Sequence, residues 1–211
     1  MKVISVAELA LPAVKVIRFA RFRDQRGYFT EPFRRSDFDS HPDLACFRGL
    51  AFVQANESHS RPNVVRGLHF QFNPFMGKLV RTIAGHMVDV VLDLRKGSPT
   101  LGKAVMYDMP ADSGGEFAEW IWVPPGFAHG NYFPAESTIE YYCSGEYNQS
   151  GEAGISPLSR DIDWSLCDAA LKDRFDAIAA GGAIISDKDR DAPSLRSWLD
   201  DARSDHFRYQ G

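Results

Sequence analysis

An arginine, a histidine and a lysine fall close together in Val64-Val65-Arg66-Gly67-Leu68-His69-Phe70-Gln71 and Gly77-Lys78-Leu79-Val80-Arg81. These are two β-like stretches joined by a short connection that contains proline. An imidazole that titrates near neutrality serves as a general base, and a lysine ammonium stabilises an oxyanion. By itself the pattern is ambiguous, because a histidine in a strand is commonly a satisfied structural residue. A second concentration, Trp122-Val123-Pro124-Pro125-Gly126-Phe127-Ala128-His129-Gly130, adds His129.

These residues do not compose a metal site. Barrel proteins that bind a transition metal commonly use an HxH pair, a glutamate a few residues on and a later histidine. Here Gln71 stands where the second histidine would be, and Lys78 occupies the stretch where the glutamate would follow. Two imidazoles seldom fill a site for zinc, iron or copper, so no metal is expected.

The elements that must position such side chains read as short strands. Val16–Phe19, Phe29–Phe33, Ala51–Asn56, Lys78–Ile83, Ala104–Met109, Glu119–Val123 and Thr138–Tyr142 are punctuated by Gly, Pro and Asn, with a turn at Asp24-Gln25-Arg26-Gly27. Val88–Leu94 alternates and is rich in β-branched residues, as a half-buried strand should be. Many short strands with few helices between them predict a mainly β jelly-roll barrel over about residues 14–150. Helical periodicity comes late, over about residues 160–205. Ser165 is placed to cap a helix through Leu171, Phe175 and Ile178 that stops at Gly181-Gly182, and a shorter helix follows Pro193.

The chain has 211 residues, 44% of them hydrophobic and 25% charged, which fits a single domain spanning 1–211 with a real core. A net charge of -4 gives no electrostatic reason to expect nucleic acid or a membrane surface. No apolar run approaches bilayer length, and the first residues lack the apolar core of a signal peptide, so a cytoplasmic location is expected. Cys46, Cys143 and Cys167 are widely spaced and read as reduced structural thiols.

The blocks RGLHFQ…GKLVR, DVVLDLRKGSPTLG, VPPGFAHG and DQRGYFTEPF, in this order of interest, resemble the dTDP-4-dehydrorhamnose 3,5-epimerase family of cupin-type sugar epimerases. The likeness runs from about Phe19 to the neighbourhood of Pro193. It implies a cupin-type jelly roll, a homodimer, no cofactor and a dTDP-linked 4-keto-6-deoxyhexose inverted at C3, C5 or both. It further implies His69 as general base, Asp189 as the carboxylate that orients it, Lys78 at the enolate oxygen and Tyr141 as the acid on the opposite face. Arg66 matches a diphosphate or substrate arginine, with Gln54 and Asn56 as a polar pair near the ligand. His129, Tyr147, Glu152 and Lys188 fall on further ligand-contacting positions, and Arg26 and Glu31 on residues that reach the partner subunit's nucleotide.

The chemistry agrees with that assignment. A hydrogen α to a ketone is acidic only because its carbanion delocalises onto oxygen. Inversion therefore calls for a base on one face, a cationic donor at the oxygen and an acid on the other face. Several points stay open in the residues themselves. Tyr141 and Tyr142 alternate in a strand, and parity does not choose which faces a cavity. Asp189 lies between Asp187 and Asp191 in what reads as a solvated acidic turn. Met76 stands where the family usually has glutamine, and Gly130-Asn131-Tyr132-Phe133 departs from the usual residues after the second histidine. A single-site epimerase, a 3,4-ketoisomerase, a non-catalytic sugar-binding cupin and a metal-dependent cupin oxygenase are the competing readings.

Overall fold

Alternation of apolar side chains along short runs produces most of the structure. The computed structural model describes residues 1–112 and 114–209. Strands β1 (Val3–Glu8), β2 (Lys15–Ala20), β3 (Phe22–Asp24) and β4 (Gly27–Phe29) come first, followed by helix α1 (Arg35–Ser40) and a 3-10 segment, Pro42–Phe47. Next are β5 (Gln54–Ser60), β6 (Val65–Gln71), β7 (Lys78–Ala84), β8 (His86–Asp93), β9 (Ala104–Pro110), β10 (Phe117–Val123), β11 (Phe127–Tyr132), β12 (Ser137–Cys143) and β13 (Glu152–Gly154). Helices α2 (Ala169–Ala180), α3 (Asp187–Arg190) and α4 (Leu195–Leu199) complete the order.

The strands build two main antiparallel sheets, β1-β2-β10-β7-β12-β5 and β13-β6-β11-β8-β9, plus the hairpin β3-β4. This is the expected jelly roll, although each sheet keeps its own edges, so the barrel is open. Val80, Val91, Ile121 and Ile139 fill the space between the sheets. Outside the five-stranded sheet, Leu68, Phe70, Val88 and Val90 join Phe175, Leu195 and Trp198 of the C-terminal helices. Outside the six-stranded sheet, Ile17, Phe19, Leu79 and Trp120 join Phe38, Leu44 and Phe47.

Three local expectations change. The strand over Phe29–Phe33 ends at Phe29, because Pro32 has no amide hydrogen to give; its carbonyl instead accepts from Trp120 Nε1 at 2.6 Å. Asp168, not Ser165, caps α2, its Oδ1 accepting from the amides of Ala170 and Leu171 at 2.9 and 3.2 Å. The helix then passes Leu171, Phe175 and Ile178 and stops at Gly181 as read from the sequence. Finally, β8 is covered on both faces rather than half-buried. The helices lie over one side and the opposite sheet over the other, so Asp89 and Asp93 are 0% exposed.

Candidate active site

The site lies between the two sheets. From the six-stranded sheet, β5, β7 and β12 carry Gln54, Asn56, Lys78 and Tyr141 to it. From the five-stranded sheet, β6, β11 and β13 bring Arg66, His69, His129 and Glu152. Two adjoining cavities of 360 and 280 Å³ result, and both are lined by His69, Lys78 and Tyr141. Their size suits a small-molecule ligand.

Register explains which side chains arrive. On β12, Ile139, Tyr141 and Cys143 pair with Ser58, Asn56 and Gln54 of β5, so these six share the inner face. Tyr142 points the other way, packing on Trp120 at 5.1 Å between ring centroids and edge-on to Phe33. On β6, Arg66 and His69 are three apart and ought to face opposite sides. A β-bulge resolves this: His69 pairs with His129 and Arg66 with Asn131, so two residues of β6 oppose Gly130 alone. Gly67 sits in that bulge with φ +107, and a Cβ there would lie 2.6 Å from Gly130 Cα. Only glycine fits.

Asp189 closes the arrangement from α3. Ser186 caps this turn, and Asp189 is buried rather than part of a solvated acidic surface. Its Oδ1 lies 2.6 Å from His69 Nε2, and its Oδ2 accepts the Gly67 amide at 3.1 Å. Burial pushes the Asp189 carboxyl up, but hydrogen bonds from His69, the charge of His69 and the Gly67 and Ser186 donors together hold it below the ordinary carboxylate value. The imidazole is thereby fixed through one nitrogen while its ring lines the cavity.

Across the cavity, Lys78 forms no ion pair among the described residues. Burial holds its ammonium below the usual lysine value, against nearby negative charge from Glu152 and Asp89. Burial likewise raises the Tyr141 hydroxyl, so it keeps its proton. Arg66 is anchored by Ser60 Oγ at 2.9 Å and the His59 carbonyl at 3.0 Å. Toward the mouth, Glu152 accepts from Lys188 at 2.7 Å and from the Tyr147 hydroxyl at 3.2 Å. The Tyr147 amide donates to Gln54 Oε1 at 2.8 Å, and Gln54 Nε2 donates to Asn56 Oδ1 at 3.0 Å. An imidazole, an ammonium and a phenol are thus distributed over both walls of one cleft, an arrangement chemically able to serve proton transfer at carbon beside a carbonyl.

Eleven of the positions singled out in the sequence meet around this cleft: His69, Lys78, Tyr141, Asp189, Gln54, Asn56, Arg66, His129, Tyr147, Glu152 and Lys188. Arg26 and Glu31 do not. Arg26 stands on the β3-β4 turn with its side chain 85% exposed and paired to Asp24, and Glu31 pairs with Arg34 and the Met1 amine. Met76 and Asn131, noted in the sequence as departures from the family pattern, line the cleft, and so do Ser58, Phe70, Ile139 and Cys143, which the sequence reading did not put forward as site members. Cys143 shares the parity of Tyr141, which is the one signal that could have found it. Gln71, at the second position of the incomplete HxH, pins loops instead: its Nε2 donates to the carbonyls of Pro74 and Glu146 at 3.0 and 2.9 Å. Among the described residues no group of three or more His, Cys, Asp or Glu is arranged to hold a metal ion.

Known proteins share both the sequence and this architecture. The family model described as dTDP-4-dehydrorhamnose 3,5-epimerase matches residues 8–197. A dTDP-4-dehydrorhamnose 3,5-epimerase of Shigella flexneri is 36% identical over 174 residues, covering 81% of this chain and 92% of the relative. A dTDP-6-deoxy-D-glucose-3,5-epimerase of Legionella pneumophila, solved in complex with dTDP-4-keto-L-rhamnose, superposes with a TM-score of 0.80 at 31% identity, over 98% of this chain and 99% of that one. A 4-keto-6-deoxy sugar epimerase of Streptomyces spheroides gives 0.77 at 29% identity, over 95% of this chain and 91% of that one. With a family model matched over residues 8–197 and relatives aligned across most of its length, this protein belongs to the dTDP-4-dehydrorhamnose 3,5-epimerase family.

Proposed function

We propose that the protein inverts C3 and C5 of dTDP-4-dehydro-6-deoxy-D-glucose by deprotonation and reprotonation, giving dTDP-4-dehydro-L-rhamnose. The observation that carries this reading is the His69–Asp189 couple, 2.6 Å apart on one wall, with Tyr141 on the other and Lys78 unpaired in the same cleft. His69 takes the proton from carbon, and Asp189 stabilises the resulting imidazolium. The electrons move onto the C4 oxygen, where the Lys78 ammonium meets the enolate charge. Tyr141 returns a proton from the opposite face, and the centre is inverted. Arg66 and Lys188 supply cationic charge for the diphosphate.

Two further parts of the reading concern assembly. The working form is a homodimer, and Arg26 and Glu31 serve the site of the neighbouring copy. In support, both lie outside the cleft of their own chain, beside a hairpin that exposes Phe22, Tyr28 and Phe29. No helix among the described residues is long and apolar enough to cross a membrane.

The test is incubation with the 4-keto nucleotide sugar in deuterated water, followed by NMR of the product. Deuterium at both C3 and C5 is expected; label at one carbon would make the enzyme a single-site epimerase. A carbonyl moved to C3 would make it a ketoisomerase, and no label at all would leave only sugar binding.

A further inference from the structure

One charged side chain inside the barrel has no part in the chemistry above. Asp89 sits on β8 in the five-stranded sheet, on the face that sends Met87 and Val91 into the inter-sheet core. Its side chain is 0% exposed. Oδ2 lies 2.9 Å from His129 Nε2, while Oδ1, also buried, has no hydrogen-bond partner among the described residues. Taking a carboxylate out of water is costly, and a position needed only for packing would carry an aliphatic residue, as Val91 does two residues on.

His129 stands on β11 directly across from His69 on β6, and it lines the cavity that His69, Lys78 and Tyr141 share. The cleft floor therefore contains a second histidine–carboxylate pair, separate from His69–Asp189. A carboxylate beside Nε2 fixes a proton on that nitrogen, sets the ring's orientation and stabilises the imidazolium. Asn131 does not compete for this role: its Nδ2 lies 3.5 Å from the same Nε2 and also contacts Met87 Sδ at 3.3 Å.

We propose that Asp89 is a positioning residue of the epimerisation, acting through His129 to hold this imidazole in the orientation and charge state that favour the developing enolate beside Lys78. The inference rests on the epimerase reading and adds to it a residue that touches neither substrate nor the first histidine. Its sign is definite. Removing the negative charge weakens transition-state stabilisation and leaves nucleotide binding intact.

Asp89→Asn preserves shape and removes the charge. Its kinetics are compared with those of His129→Gln and of the double variant, alongside dTDP binding by calorimetry and thermal melts. For Asp89→Asn, kcat should fall roughly tenfold to a hundredfold, less than or equal to the loss of one oxyanion donor, with KM and dTDP affinity within about twofold. The double variant should be within about threefold of His129→Gln, because coupled residues are non-additive. An unchanged kcat, or losses that multiply in the double variant, overturns the proposal. So does a loss of dTDP binding in step with a lowered melting temperature, which marks a structural role. Nitrogen-15 NMR of the wild-type His129 ring gives a readout that needs no variant to fold: Nε2 is expected to be protonated, and an unprotonated Nε2 overturns the proposal. Wild-type exchange at C3 or C5 in deuterated water separates the two levels. Its absence defeats the epimerase reading, whereas an active wild type with an unimpaired Asp89→Asn variant defeats this inference alone.

Discussion

Gly67 and Asp189 are 122 positions apart in the chain, yet the glycine amide donates to the aspartate's Oδ2 over 3.1 Å. The same carboxylate meets His69 through its other oxygen at 2.6 Å. The bulge that turns Arg66 and His69 to one face thus also supplies the donor that fixes Asp189. Backbone shape and the position of the His69 imidazole are set together.

Asp189→Asn should lower kcat by roughly 10²–10⁴, the range for a positioned acid–base group, with little change in dTDP affinity. Its effect on stability has a definite pH sign. The folded carboxyl titrates below its ordinary value of 3.8, so its contribution is present above that value and lost as pH falls through the lower folded one. Acid-unfolding curves of wild type and variant should converge in strong acid and separate above it.

In its proposed role Lys78 must be an ammonium to hold the enolate charge. Burial lowers its pKa from 10.5, so activity should decline on the alkaline side at a pH below that value. Lys78→Met should cost roughly 10²–10³ in kcat, comparable to deleting an oxyanion donor. Lys78→Arg, if it retains measurable turnover, should shift the alkaline decline to higher pH, as pH–rate profiles would record.

Tyr141→Phe removes the proposed acid and leaves the proposed base, His69. Product formation should fall by roughly a hundredfold or more, while proton exchange from the His69 face continues. Mass spectrometry should therefore find label entering recovered substrate faster than inverted product appears. Equal suppression of exchange and inversion would show that Tyr141 is not the acid of the opposite face.

Gly67→Ala puts a Cβ 2.6 Å from Gly130 Cα at a positive φ of +107. A non-glycine residue held there costs on the order of 1–3 kcal/mol. A lower denaturation midpoint and reduced kcat are expected together, because moving the bulge displaces both His69 and the amide that holds Asp189.

Subunit mixing tests the proposed role of Arg26. Arg26→Ala and His69→Ala homodimers should both be impaired, whereas hybrids made by mixing should regain activity through one site with both residues intact. If mixing restores nothing, Arg26 does not serve the neighbouring site.

Much of this site is legible in the amino-acid sequence. His69 and Lys78 start from strands close in sequence, and both strands were readable from their apolar runs. The ambiguity between Tyr141 and Tyr142 was real: alternation says that they diverge, but only the aromatic cluster of Phe33, Phe52 and Trp120 makes Tyr142 the outward one. The alternation in Val88–Leu94 reads as a half-buried strand, yet its apolar half meets the helices and its polar half, Asp89 and Asp93, lies on the face of Met87 and Val91 beneath the opposite sheet. The helix cap moved from Ser165 to Asp168 because several residues in that stretch can cap, and the path of the chain selects among them.

Residue order alone determined the short strands, their turns, the late helices and the supply of base, cation and acid, because these depend on local periodicity and side-chain chemistry. Tertiary structure decided that Asp189 reaches His69 across 120 positions, that a bulge turns Arg66 to the same face, and that Asp89 is sealed beneath His129. Those outcomes depend on how two sheets and the C-terminal turn pack together. Period-two alternation is symmetric between inside and outside, so it carries no information about which face another part of the chain will cover.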